Sequence, residues 1–275
     1  MAGFGKKKSP LEENHVNNGN ADNAGKFIGF VLLSESLWDK DKFFADMKSE
    51  WGIKIEDDHP EDSDVVYVEA DGFRIIIGLM PSAIPNGEAE HYAKANYMWK
   101  DAERVVARHG AHLLVTVMGD GDMADKARLY VKVTASLLGQ DTALALYSEG
   151  AVYQPEMFRD CAGMMRDKSM ENVLPMLNLV WFGLYGDGKI GGVYTYGMRR
   201  FGKEEIEVYV PAADANLNEI RNFLVSVAAY VIGEDVVLLD GETIGFSAEQ
   251  KLPIKVSPGI AVNGNTVKID ITKQN

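Results

Sequence analysis

Four titratable side chains have types and positions that could carry acid–base chemistry. Glu88 and His91 are three residues apart at the start of a predicted helix, and this spacing brings side chains onto neighbouring positions of one face. Glu242 and Glu249 lie in a polar segment, residues 240–254. If this segment met Glu88 and His91 in a cleft, the carboxylates and the imidazole could act as general acid and base in a hydrolase. The alternative is structural: Glu88 stabilises the positive end of its helix dipole, His91 makes a packing contact, and the later glutamates lie on a solvated hairpin.

The helix that would carry Glu88 and His91 is predicted over residues 87–109. Asn86 is a favourable N-cap residue, because its side-chain oxygen can accept a hydrogen bond from a first-turn amide, and Gly110 is the expected left-handed C-terminal residue. Helical spacing generates one apolar stripe, made of Tyr92, Ala95, Trp99, Ala102 and Val106. We therefore expect a ligand or a partner to contact this region, and the candidate contact residues are Asn86, Glu88, Glu90, His91 and Trp99.

Two groups of residues have some of the side chains that a metal site needs. The segment 53–64 crowds six acidic residues around His59, and Ca²⁺ takes several carboxylate oxygens. The segment lacks the regular spacing of a calcium loop and contains Pro60, so a solvated acidic loop is the favoured interpretation. His109 and His112 would need a carboxylate from elsewhere in the chain to share a metal ion. We predict no metal site.

The motifs of several well-defined sites are missing from the sequence. It has no phosphate-binding loop, no glycine-rich dinucleotide motif, no nucleophile elbow and no paired cysteines or histidines at metal-binding spacing. The one cysteine, Cys161, falls at helical spacing among apolar residues and is expected to be a small core residue. We therefore predict no cofactor, and no complete catalytic constellation.

The charge balance restricts the classes of partner. The 275 residues have a formal net charge of -13 at pH 7. Nucleic acids and anionic membrane surfaces select basic proteins, so neither is the expected partner. An acidic surface is complementary to basic protein partners, and a protein partner is the class that the sequence leaves open. No apolar run has the length of a membrane span or the pattern of a signal peptide, and we expect a cytoplasmic protein.

The hydrophobic pattern predicts an α+β protein in which helices cover a mixed sheet. Residues 1–25 are polar and are predicted to form a disordered tail, and residues 26–275 are predicted to form a single domain. Two segments read DVV followed by an Asp-Gly turn, at residues 64–72 and 235–241, and each turn predicts a β-hairpin with the strand that follows it. They suggest two similar β-α-β-β halves, residues 26–85 and 176–254, with residues 111–166 inserted between them.

Several sequence segments resemble those of one bacterial protein family. They include FIGFVLLSE, IPNGEAE followed by NYMW, and DGETIGFSAEQKLPI. In combination these stretches resemble a family catalogued as a domain of unknown function, and the resemblance covers residues 27 to about 270. It implies one recurring module and assigns no activity, cofactor or catalytic residue.

The sequence favours a binding or interaction module without catalysis, of an adaptor or immunity-like kind, with its cleft near residues 85–99. The alternative is a hydrolase-like enzyme that uses Glu88, His91 and Glu242 or Glu249. The enzyme interpretation requires these carboxylates to converge on one pocket. The binding interpretation requires an exposed apolar or acidic patch.

Overall fold

The computed structural model describes residues 24–55, 64–170, 172–247 and 249–272. The prediction of a disordered tail falls almost entirely outside these ranges, as does most of the acidic segment considered as a calcium loop. At the start of the described part, the amide of Gly25 donates to the carbonyl of Arg200 at 2.8 Å.

The first sheet is antiparallel throughout and has the strand order β2-β3-β4-β1-β5-β6. Its strands are β1 (Phe27–Leu33), β2 (Val65–Ala70), β3 (Phe73–Met80), β4 (Ala111–Met118), β5 (Ala143–Ser148) and β6 (Ala151–Tyr153). The predicted β2–β3 hairpin is confirmed. Asp71 and Gly72 form its two-residue turn with φ values of 51° and 81°, the left-handed backbone that such turns require.

Seven helices accompany the sheets in the described ranges. They are α1 (Lys40–Trp51), α2 (Glu88–Lys94), α3 (Ala102–Val106), α4 (Met123–Leu137), α5 (Pro155–Gly163), α6 (Met176–Leu179) and α7 (Leu217–Gly233). Side-chain caps fix the starts of α1 and α4: Asp39 accepts from the amide of Lys42, and Asp122 accepts from the amides of Ala124 and Asp125. None of the helices in the described ranges is long and apolar enough to cross a membrane.

The two faces of the first sheet are covered by different helices. Alternate residues of β1, such as Val31 and Leu33, are fully buried in the main core together with α1 and α4. Leu32 points to the opposite face, where it joins a smaller buried cluster with α2, α3 and Tyr147 of β5. Because α2 and α3 pack on this second face, they are held between the sheet and solvent.

The second sheet is mixed and has the strand order β10-β11-β12-β9-β8-β7. Its strands are β7 (Trp181–Gly186), β8 (Ile190–Tyr196), β9 (Ile206–Pro211), β10 (Thr243–Ile244), β11 (Leu252–Pro258) and β12 (Asn265–Ile269). β12 pairs with β9 in parallel, and the other pairings are antiparallel. With helices packed on both sheets, the α+β class predicted from the sequence is confirmed.

Two glutamates, Glu205 just before β9 and Glu207 within it, are buried among hydrogen-bond donors. Glu207 is 0% exposed, and its carboxylate accepts from the amides of Ile260, Ala261 and Val262 and from the hydroxyl of Thr266 at 2.9 to 3.2 Å. Glu205 accepts from the hydroxyl of Thr195 at 2.7 Å and from the amide of Gly197 at 2.9 Å. Both carboxylates therefore anchor backbone of the second sheet.

A buried arginine connects the two sheets. Arg200 follows β8, is 2% exposed, and donates to the hydroxyl of Ser148 at 2.6 Å. Its Nε lies 3.4 Å from the carboxylate of Glu149, in the turn between β5 and β6. The main hydrophobic core also continues from Phe27 of the first sheet to Val208 of the second.

The predicted equivalence of the two DVV segments is wrong. Val65 and Val66 start β2, whereas Val236 and Val237 lie between α7 and β10 outside any strand. The hairpin predicted around the second Asp-Gly turn is also replaced by another pairing, because β10 pairs with β11 through Ile244 and Leu252. Val237 is 63% exposed, so no apolar face draws this segment into the sheet.

Candidate binding site

The helix predicted over residues 87–109 is broken between α2 and α3, and Asn96 causes the break. Its side-chain oxygen accepts from the amides of Met98 and Trp99, each at 3.0 Å, and its amide donates to the carbonyl of Val152 at 2.7 Å. These bonds give the backbone an alternative to helical pairing and tie the turn to β6. Residues 95–101 therefore form a short non-helical segment on the protein surface.

The predicted start of the helix is within one residue of the start of α2, but the predicted capping roles of Asn86 and Gly110 are both wrong. Asn86 does not act as an N-cap: it has a φ of 61°, is exposed, and belongs to a 3-10 turn, Pro85–Gly87. Gly87, with a φ of 64°, precedes the first helical residue, and no side chain caps α2. At the other end, the amide of Gly110 donates to the carbonyl of Leu33 at 2.9 Å, so this glycine joins the sheet and does not close a helix.

Glu88 lies at the start of α2 and bonds to a tyrosine of the sheet. Its Oε1 accepts from the hydroxyl of Tyr147 at 2.6 Å, and the ring of Tyr92 stacks on Tyr147 with centroids 5.8 Å apart. Burial, followed by the hydrogen bond to Glu88, raises the pKa of Tyr147 far above its usual value. The phenol therefore stays neutral and acts as a donor to the carboxylate.

The other candidates on α2 have separate surroundings. His91 is exposed, and its ring meets Tyr92 edge-on at 5.4 Å. Glu90 faces His109 instead: its Oε1 is 3.8 Å from Nδ1 of that ring. Nε2 of His109 accepts from the amide of Ile84 at 2.9 Å, so the ring is neutral and Nδ1 donates to the carbonyl of Val106 at 2.6 Å. His109 is thus a buried structural histidine.

Glu242 and Glu249 lie on the second sheet, where they are engaged locally. Glu242 is exposed and accepts from the amide of Leu239 at 3.0 Å. Glu249 is fully exposed, and hydrogen bonds from its own amide and from Ser247 lower the pKa of its carboxyl. Within the described ranges, no hydrogen bond or ion pair joins Glu88 to His91, Glu242 or Glu249. The structure brings Glu88 together with Tyr147 and Tyr92, which the sequence did not identify as partners.

An apolar cavity of about 300 Å³ lies behind the non-helical segment 95–101. Its apolar lining comes from several elements: Tyr97 and Met98 in the segment, Met157 in α5, Leu177 in α6, Trp181 in β7 and Val225 in α7. The hydroxyl of Tyr97 donates to the carbonyl of Phe182 at 2.7 Å, which fixes the segment against β7. Met98 and Leu177 are each 41% exposed and lie at the rim. Sequence reasoning missed this cavity.

A second, more polar cavity of about 460 Å³ lies on the other side of the same segment. Trp99 lines it, together with Asp101, Gln154 and Arg159. Trp99 also packs against the smaller buried cluster, so it is a wall residue and is half-buried. Residues 97–101 thus contribute to the lining of two cavities, at one end of the region that the sequence predicted to contact a ligand or partner.

The potential metal ligands among the described residues are not grouped as a metal site. In these ranges, no three or more His, Cys, Asp or Glu side chains are grouped so that they could hold a metal ion. The rings of His109 and His112 are hydrogen-bonded to backbone groups: His109 to the amide of Ile84 and the carbonyl of Val106, and Nδ1 of His112 to the carbonyl of Ser82 at 2.8 Å. Each of these histidines therefore supports a backbone segment.

Comparison with known proteins gives one family match. No curated protein and no solved structure matches the chain. The family match runs from β8 to just beyond β12 and does not include α2 or the non-helical segment 95–101. The predicted resemblance to a family of this class is confirmed, since residues 194–270 match the family model described as "Domain of unknown function (DUF4261)".

Proposed function

We propose that this protein is a non-catalytic binding module whose site is the apolar cavity behind Tyr97 and Met98. The observation that carries the proposal is the cavity itself, about 300 Å³ in volume and walled mainly by aromatic and aliphatic side chains from three helices, two strands and an irregular segment. Ligand sites are typically concave and mostly apolar, and this volume is at the lower end of their range. Exposed Met98 and Leu177 at the rim supply apolar surface that a ligand would cover.

The state of the candidate catalytic groups supports binding over catalysis. The Glu88 carboxylate is hydrogen-bonded to Tyr147, and the exposed ring of His91 meets Tyr92 edge-on. Glu242 and Glu249 have local partners on the second sheet. An acid–base pair needs a proton donor and an acceptor aimed at one reacting atom, and the described contacts direct these groups elsewhere. An adaptor or immunity-like role in the bacterial cytoplasm is the setting we propose for the module.

Calorimetric titration of the full chain with 1-octanol tests the proposal. This probe is neutral and mostly apolar, so it reports on the cavity alone. We expect saturable binding with one site, and we expect Val225→Phe to abolish it because the larger ring fills the cavity. Val237→Phe is the matched control: it adds the same bulk at a residue that is 63% exposed. Absence of binding to the wild-type chain would refute the proposed site.

The hydrolase alternative rests on a different observation, the 2.6 Å hydrogen bond between Tyr147 and half-buried Glu88. A phenol and a carboxylate in contact are groups that enzymes use for proton transfer. Hydrolase assays with ester and glycoside substrates, run on the wild-type chain and on Glu88→Gln, address it directly. Turnover that disappears in Glu88→Gln while 1-octanol binding persists would favour the enzyme.

A further inference from the structure

The apolar cavity has one charged residue among its described lining residues, and that residue is a cation. Arg221, in the second turn of α7, lines the cavity beside Asn222. The rest of the described lining is aromatic or aliphatic, and no acidic side chain belongs to it. A guanidinium at the edge of an apolar space sits where the dielectric constant is lower than in bulk water, so it attracts an anion more strongly there.

The guanidinium of Arg221 has no hydrogen-bond or ion-pair partner in the part of the chain that the structure describes. Some of the other arginines are paired: Arg159 lies 3.5 Å from Glu50, and Arg200 lies 3.4 Å from Glu149. Among the described residues, no carboxylate lies within ion-pairing distance of Arg221 and no hydrogen bond from its side chain is found. Arginine presents its N–H donors as a planar fork that matches a carboxylate in two-point contact. The side chain therefore retains donors that a bound anion could use.

We infer that the cavity binds a small amphipathic carboxylate, with the apolar part against Trp181 and Val225 and the carboxylate at Arg221. This inference rests on the proposed function and adds the chemical class of the ligand. A cavity of about 300 Å³ is at the lower end of the range for small-molecule sites, so the ligand we infer is small. An eight-carbon carboxylate is such a ligand. Nucleotides and peptides of several residues are too large to be enclosed.

Paired titrations with octanoate and 1-octanol test the inference on the full chain at neutral pH. The two probes share the apolar chain and differ in charge. A two-point, charge-assisted contact predicts that octanoate binds roughly tenfold to a hundredfold more tightly than 1-octanol. We expect Arg221→Gln to reduce octanoate binding to the level of 1-octanol and to leave 1-octanol binding unchanged, which also shows that the variant is folded. Arg74→Gln, at an exposed arginine of β3, should change neither affinity.

The possible results separate the two proposals. If 1-octanol binds as tightly as octanoate, the apolar site stands and the carboxylate class is refuted. If the octanoate preference survives in Arg221→Gln, the role of Arg221 is refuted. If neither probe binds, the proposed function fails together with its extension. If octanoate fails but a short apolar peptide with a free C-terminal carboxylate binds, the small-molecule class is replaced by a peptide terminus.

Discussion

Replacing Glu207 by glutamine should destabilise the protein markedly without changing the shape of the side chain. The carboxylate is 0% exposed, receives the three successive amides of residues 260–262 and lies 3.4 Å from Nζ of Lys268, so its charge is matched by backbone donors and one ammonium group. A hydrogen bond to a charged group contributes about 1.5–3 kcal/mol, against about 1 kcal/mol for a neutral one. Losing the charge on three bonds, offset by the lower desolvation cost of an amide, predicts a loss of about 2–3 kcal/mol.

Urea unfolding at neutral pH measures this loss. The control is Glu69→Gln, the same chemical change at an exposed residue of β2, which should alter the free energy of unfolding by less than about 0.5 kcal/mol. Hydrogen exchange adds a local readout, because the amides of residues 260–262 should exchange faster in Glu207→Gln while those of β4 do not. If both glutamine variants unfold at the same urea concentration, the argument that these amides hold a charge is refuted.

Three further predictions concern Asn96, Glu205 and His112. Asn96→Ala removes two hydrogen bonds that the side chain accepts and one that it donates, so the free energy of unfolding should fall by about 1–2 kcal/mol. Binding of 1-octanol should also weaken, because residues 97–98 lose their support. An unchanged affinity for 1-octanol would contradict this. Burial raises the pKa of Glu205 above its ordinary 4.5, so the folded state binds this proton more tightly than the unfolded state. The stabilisation that this bound proton contributes is therefore present below pH 4.5 and is lost as pH rises through the raised pKa. Urea unfolding of Glu205→Gln should show no such loss of stability across this pH range. Burial lowers the pKa of His112 below 6.5, so the stabilisation that the neutral ring contributes is present above pH 6.5 and is lost as pH falls through the lowered pKa. The free energy of unfolding of His112→Gln should therefore depend less on pH in this range. An equal pH dependence in both proteins would refute the assignment.

The elements that the sequence predicted well are those whose signals are local. Asp39 caps α1, Gly52 ends it in the left-handed conformation, and Asp71 and Gly72 make the turn between β2 and β3. Each of these features depends on a side chain and its own backbone neighbours, so the residue type alone specifies it. The alternation of buried residues in β2 and β3 was readable for the same reason.

The failures come from contacts between distant parts of the chain. The apolar stripe through Tyr92 and Trp99 looked continuous, but Asn96 accepts from the amides of Met98 and Trp99 and breaks it. The bond from Asn96 to Val152, 56 residues away in the chain, holds the broken turn against β6. Leu252–Pro258 was not predicted as a strand, because Pro253 and Lys255 interrupt its apolar pattern, and its pairing with β12 is what makes it one. Neither of these long-range contacts can be predicted from the residues that neighbour it in the sequence.

The apolar cavity could not be predicted from the sequence, for a related reason. Its walls come from α5, α6, β7, α7 and the segment between α2 and α3, so no window of sequence contains them together. Trp181 is 8% exposed, as a core residue would be, and it also lines the cavity. Arg221 gave no signal, because a lone arginine on an amphipathic helix is common.

The strand order has a consequence for the order in which the protein can fold during synthesis. Every strand of the first sheet comes from residues 27–153, so that sheet and its helices α1 to α4 can assemble while the ribosome is still translating the remainder. The second sheet must wait, because β12 inserts between β9 and β11 and supplies the hydroxyl of Thr266 to Glu207. Until β12 emerges, β9 lacks a neighbour on that edge, and the nascent chain has an open strand edge for a chaperone to cover.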